Sequence, residues 1–211
     1  MALREDQILR YSRQILLKEV GGRGQESLLK AGVQLDATGA AGLTAAAYLA
    51  AGGTALQASQ APLGPGAQGF LAADEDVGAP AARVLERVLP ELNPDTAQPR
   101  GGGRLAELPA AWGGEAPWVA LGGDGTRGAV LFRGPEGCVW CFGETVRTLE
   151  TPPTGVLGIA LGALGALVYQ RLLLGMGPQL GGRWLKAPGE LEDLEIHPCK
   201  RCRSPLPLGE G

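Results

Sequence analysis

Residues 33–53, VQLDATGAAGLTAAAYLAAGG, decide the fold. A short alternating run ends in Ala, Thr and Gly, and an Ala-rich segment of strong helix-forming composition follows. This is the layout of a strand, a tight small-residue turn and a helix. The first turn of such a helix leaves backbone N–H groups free for an anion. Gly39 and Gly42 stand where that turn needs glycine, but Ala37 occupies the place of the first glycine. The strand is also unusual. A parallel strand covered on both faces reads as a continuous apolar run, whereas residues 33–36 (VQLD) alternate and residues 55–58 (ALQA) are mixed. The alternation predicts one thinly covered sheet face. It also predicts that Asp36 meets water, an amide or an arginine, because an unpaired buried carboxylate is costly.

Outward from this unit, residues 5–17 predict an amphipathic helix with Ile8, Tyr11 and Ile15 on one side and Arg10 and Arg13 sharing a face. A second short helix is expected over 24–31, strands over 32–37 and 54–58, and a helix over 43–51, giving a βαβ start and a parallel sheet. Residues 61–69 (APLGPGAQG) read as loop. Asp76 is positioned to cap a helix over 79–92 with Val84, Leu85, Val88 and Leu89 inward. Residues 99–117 read as mostly irregular. A strand is expected at 118–121, a hairpin at 128–132 and 138–142, a helix over 155–174 and a strand near 183–186. No internal repeat is present. The expected organisation is an N-terminal helical segment (1–31), a Rossmann-like part (32–127), a part with hairpin, long helix and metal knuckle (128–203) and a disordered tail (204–211).

Composition limits the function classes. The 211 residues suffice for one domain with an appendage, and 45% are hydrophobic. A net charge of -3 gives no bulk electrostatic reason for a nucleic-acid or membrane partner. Residues 1–14 carry no apolar signal core, so the cytoplasm is the expected location. Residues 155–169 (GVLGIALGALGALVY) are apolar, but Arg171 ends the run short of the roughly 20 residues of a bilayer span. A buried or dimer-contact helix is the expectation over a membrane span. Gly158, Gly162 and Gly165 would let another backbone approach it closely.

The four cysteines form two CxxC pairs, Cys138–Cys141 and Cys199–Cys202. Two such knuckles supply the four thiolates of a tetrahedral structural zinc. The alternatives are redox pairs, of which only one would be needed, or chance. A closed zinc site leaves no thiolate free as a nucleophile and ties the C-terminal segment to the expected hairpin. His197, beside the second knuckle, is an alternative ligand or a neighbour of the site.

Several segments, in order, resemble the ThiF/MoeB/HesA family of ubiquitin-activating-enzyme-like adenylyltransferases. They are RYSRQILL (10–17), TAAAYLAAGG (44–53), FLAADEDVGAP (70–80), ELNPD (91–95) and the CxxC pairs around TGVLGIALGALGALVYQRLLLG. The resemblance implies a Rossmann-like three-layer α/β fold with a mainly parallel sheet and a zinc-knuckle C-terminal part. It also implies ATP with magnesium as cofactor, and adenylation of the C-terminal Gly-Gly of a ubiquitin-like or sulfur-carrier protein. On it, Gly39 and Gly42 belong to the nucleotide loop, and Asp124 matches the magnesium aspartate. Arg13 matches an arginine that reaches into the neighbouring subunit's ATP site. Other positions depart from the family: residues 57–59 hold no ribose-binding carboxylate, Gln68 stands for an arginine, and the lysine expected near Ala81 is missing. The expectation is therefore a homodimeric or heterodimeric pseudoenzyme that does not bind ATP-Mg. The alternatives are an active adenylyltransferase with substitute residues and a binding module for a carrier protein.

Overall fold

The computed structural model describes residues 3–36, 38–67, 71–98, 102–108, 117–124, 126–134, 141, 149, 153–178, 180–186 and 190–194. Seven strands form one sheet. They are β1 (Gly32–Asp36), β2 (Ala55–Ala58), β3 (Gly103–Glu107), β4 (Trp118–Gly123), β5 (Gly128–Arg133), β6 (Leu180–Lys186) and β7 (Glu190–Asp193). Their spatial order is β2-β1-β3-β4-β5-β6-β7. The first four are mutually parallel and the last three add on antiparallel. The helices are α1 (Glu5–Arg10), α2 (Ser12–Ile15), α3 (Gly21–Lys30), α4 (Ala40–Ala51), α5 (Ala81–Leu92) and α6 (Gly155–Leu173).

Strand alternation divides the sheet into two unlike faces. Val33, Leu35, Leu56, Leu105, Val119, Leu121, Val130 and Phe132 point to one face and join residues of α4, α5 and α6 in the main core. On the other face a second cluster forms from Leu108, Trp118, Ala120, Ala129, Leu131, Leu149 and Leu194. Towards β1 and β2 that face turns polar. Gln34 and its register partner Gln57 are exposed, and Asp36 accepts a hydrogen bond from Arg104 Nε at 2.6 Å. The thin cover is present, and of the three partners expected for Asp36 (water, an amide or an arginine) it meets the arginine. The described helices after β1 pack on the core face, with α5 beside α4 at the β2 edge. Thus the expected third layer is not found among the described residues.

Helix α4 is buried nearly all round. Its small side chains meet the glycines of α6. A Cβ at Gly162 would run into the Ala41 carbonyl oxygen, and one at Gly158 would sit 3.4 Å from Ala40 Cβ. The close approach predicted from the glycine spacing is therefore real, and α4 is the partner. The Tyr169 hydroxyl of α6 donates to the Gly32 carbonyl at 3.0 Å, fixing α6 over the start of β1. Helix α6 is long and apolar enough to cross a bilayer, yet Leu161, Ala166 and Tyr169 are fully buried in the protein core.

Four local expectations need correction. The single helix over 5–17 breaks at Tyr11, which is buried while its hydroxyl reaches Asp95. Residues 103–107, read as irregular, form β3 between β1 and β4. The Gly-rich flanks hid it; they are needed because a Cβ on Gly102 or Gly103 would strike the backbone of Gly32 or Pro117. Both edges of β5 are taken by β4 and β6 rather than by the expected hairpin partner at 138–142, of which residues 138–140 and 142 lie outside the described residues. Asp76 does not cap α5, whose N-cap position is Pro80. Its carboxylate accepts from Ala73 N at 2.9 Å and from Arg87 at 2.7 Å, pinning α5 from the side.

Candidate functional site

The direction of chain progression reverses between β1 and β3, because β2 lies on the outer side of β1. Open α/β sheets bind ligands at such a switch point, outside the carboxyl ends of the strands. Here β1 ends at Asp36 and α4 begins at Ala40, and its N-cap Gly39 has no side-chain cap bond. The orphan amides of that first turn face an acceptor from elsewhere. Glu107, the last residue of β3, points to the helix-bearing face. Its Oε2 accepts from Thr38 N at 2.8 Å and Gly39 N at 2.7 Å, and its Oε1 from Gly42 N at 2.7 Å. Glu107 is 6% exposed. A carboxylate thus fills the cradle of backbone donors to which an anion would bind.

Gly39 and Gly42 are brought to this cradle, as expected of a nucleotide loop. Gly39 needs its missing side chain for a different reason, since a Cβ there would lie 3.2 Å from Glu107 Oε1. Asp124 follows β4 at the same edge of the sheet. Its carboxylate is occupied: it accepts from Thr126 N at 2.9 Å, Arg127 N at 2.8 Å and the Arg127 guanidinium at 2.8 Å. The Thr126 and Arg127 amides, then the Thr126 hydroxyl and Arg127 guanidinium, hold that carboxyl far below the usual range. Arg127 in turn lies 4.0 Å over the Trp184 ring. At the end of β2, Gln57 and Ser59 are neutral, and Gln57 lines a cavity of 450 Å³ between β2 and α5. Helix α5 begins with Ala81 and Ala82.

The opposite end of α4 is closed as well. The Asn93 amide donates to the Ala50 carbonyl at 2.6 Å and to the Tyr11 hydroxyl at 2.8 Å, and Gln25 donates to the Gly52 carbonyl at 3.0 Å. Tyr11, Gln7 and Arg4 all donate to Asp95, with Arg10 3.5 Å away. Burial pushes the Tyr11 hydroxyl up to about 12. Burial raises the Asp95 carboxyl, but bonds from Gln7, Arg4 and Tyr11 outweigh it and leave the group below the usual range. Arg13 follows on α2, exposed. The twelve residues of α4 put about 18 Å of helix between this cluster and the cradle, so Arg13 is not at the cradle of its own chain.

The expected zinc ligands Cys138, Cys199 and Cys202 lie outside the described residues, as do His197 and Gln68; Cys141 is buried. Sequence reasoning missed Glu107. The signal for it was an acidic residue between Leu105 and Leu108 in a segment short of apolar cover.

Comparison with known proteins agrees with this architecture. Over 94 residues the chain is 33% identical to the sulfur carrier protein adenylyltransferase of Thermus thermophilus, covering 43% of this chain and 35% of that one. Over 91 residues it is 35% identical to the ThiS adenylyltransferase of Escherichia coli, covering 41% and 36%. A 52-residue stretch is 54% identical to mouse adenylyltransferase and sulfurtransferase MOCS3, 11% of that protein. The chain is a relative of the ThiF/MoeB-like adenylyltransferases. The matched stretches span about a third of these bacterial relatives and a much smaller share of the mouse protein. No family model matches. The ThiF/MoeB-like fold is recovered over 92% of the chain in E. coli MccB solved with ATP, with a TM-score of 0.71 at 16% identity, covering 73% of MccB. PaaA superposes with a TM-score of 0.69 over 92% of this chain and 84% of its own.

Proposed function

We propose that this ThiF/MoeB-like chain does not adenylate in its own cleft and acts as a pseudoenzyme, either paired with itself or as the non-catalytic half of a heterodimer with an active relative. The single observation that carries this reading is the Glu107 carboxylate on the Thr38, Gly39 and Gly42 amides. A triphosphate and a carboxylate compete for the same donors, and Glu107 is tethered beside them while ATP must be recruited from solution. The neutral end of β2 and the alanine at 81, where the resemblance places a lysine, support the same reading, since charge neutralisation of phosphates needs such groups. Apolar side chains left outside the core suit a partner subunit: Leu9 and Leu16 near the N-terminus, and Val156, Ile159 and Leu167 on α6.

Calorimetric titration of the chain with Mg-ATP should show no heat of binding. ATP–pyrophosphate exchange with a Gly-Gly-ended carrier protein should show no signal. Micromolar ATP affinity of the chain alone overturns the reading. A second reading, an active adenylyltransferase acting on such a carrier, draws support from the identity to the Thermus sulfur carrier enzyme and from Asp124 at the carboxyl edge. It requires Asp124 to exchange Arg127 for magnesium and Arg13 to arrive from a second subunit, and exchange activity is its test. The third, a carrier-binding module without chemistry, predicts capture of the carrier in the absence of ATP.

The cysteine pattern supports a structural zinc held by Cys138, Cys141, Cys199 and Cys202. Elemental analysis should return one zinc per chain, and chelation should lower the melting temperature; a metal-free, equally stable protein refutes it.

A further inference from the structure

We infer that Glu107 is the residue that makes the cradle reject phosphate: its carboxylate is an internal substitute for a phosphate group, and its removal alone gives the site affinity for a phosphate-class anion. The inference rests on the reading of the cleft as nucleotide-free, and adds to it a single residue as the cause.

The geometry is that of a bound ligand rather than of a helix cap. A capping side chain comes from within the first turn and accepts one or two amides. Glu107 arrives from β3, 65 to 69 residues away in sequence, and both of its oxygens are used. Oε2 bridges Thr38 N and Gly39 N while Oε1 takes Gly42 N within the first turn of the helix. Three convergent N–H groups at a helix N-terminus, closing on two oxygens of one anion, form the arrangement by which glycine-rich turns hold a phosphate. The fit is tight on both sides. Gly39 offers no Cβ, and one placed there would lie 3.2 and 3.3 Å from the two carboxylate oxygens. Glu107 itself is 94% withdrawn from solvent, being 6% exposed.

Placement follows from register. Glu107 pairs with Leu121 of β4 and lies on the core face, the side on which α4 begins. A residue one position earlier or later on β3 would point to the opposite face and miss the amides. A phosphate entering the cradle meets both occupied donors and a fixed negative charge. With alanine at 107 the donors are freed, the charge is gone, and the space left is that of a carboxylate.

The test uses the full chain and inorganic pyrophosphate as probe, followed by calorimetry and phosphorus NMR. The native protein should show no saturable binding, and Glu107→Gln, which keeps the bulk but exchanges one acceptor oxygen for an amide donor, should bind more weakly than Glu107→Ala. Glu107→Ala should bind with an affinity higher by about tenfold or more, and pyrophosphate should raise its melting temperature. A folded Glu107→Ala protein that binds no better than the native one overturns the inference, while a native protein inert to Mg-ATP leaves the functional reading standing. A native protein that binds pyrophosphate as tightly as the alanine variant overturns both. If Glu107→Ala does not fold, the native protein decides. The amide protons of Thr38, Gly39 and Gly42 should exchange slowly with solvent without any ligand, and fast exchange at these positions overturns the inference.

Discussion

The two ends of α4 are closed by the same device and with opposite consequences. At the carboxyl end, Asn93 and Gln25 donate to the Ala50 and Gly52 carbonyls. At the amino end, Glu107 accepts from three amides. Both sets of contacts come from distant parts of the chain, because α4 is an Ala-rich helix with almost no polar side chain of its own. A buried helix must find partners for its terminal groups. At the carboxyl end the requirement is purely structural, and it recruits α1–α3 and Asp95 into one clamp. At the amino end the same requirement removes the donors that an anion would use. The difference teaches that a helix N-terminus can be satisfied from within: the chain supplies its own acceptor, Glu107, at the amides where an external anion would otherwise bind.

The comparison can be broken at several points, and the largest effect is expected where α4 is parted from α6. Gly162→Val forces a side chain into the Ala41 carbonyl and lifts α6 off α4. It should cost about 3 kcal/mol, read as a fall in denaturation midpoint. Asn93→Ala opens only the carboxyl end. It leaves the buried Ala50 carbonyl and Tyr11 hydroxyl without their amide partner and should cost about 2–3 kcal/mol in urea unfolding. Glu107→Ala should cost less, about 1–2 kcal/mol, because Thr38 and Gly39 are only half-buried and water can replace the carboxylate there. If it costs more than Asn93→Ala, the two ends are not distinguished by access to solvent.

Asp95 sharpens the carboxyl end through pH. Its folded carboxyl is held below the usual range by Gln7, Arg4 and Tyr11 against the opposing effect of burial. The stability it contributes is therefore fully present above about pH 4 and is lost as pH falls through the folded value. Asp95→Asn should flatten the acid limb of the unfolding curve below about pH 4, where the native protein loses stability. The smallest effect belongs to Asp124→Ala. Its partner Arg127 is 36% exposed, and surface pairs of this kind contribute about 0–1 kcal/mol. A larger loss would mean that the β4–β5 turn depends on this carboxylate.

Much of the scaffold was legible. The β1–α4–β2 unit, the close approach along Gly158 and Gly162, and the need of Asp36 for an arginine or its equivalent all follow from short-range pattern and from the cost of burying charge. Strand β3 was not legible, because its glycines are demanded by neighbouring strands rather than by its own turn chemistry. The hairpin expected at 128–142 failed for a related reason. Local alternation shows that a segment pairs, but not with whom, and β6, some fifty residues later, takes the edge of β5.

By itself the sequence determined the class of fold, the small-residue turn with Gly39 and Gly42, and the neutral residues Gln57 and Ser59 at the end of β2. These are properties of residue type and spacing. Only the tertiary structure decided which group the turn holds. That depends on the register of β3 against β4, which aims Glu107 at the start of α4 from across the chain, and a one-residue slip would have turned the same carboxylate to the opposite face.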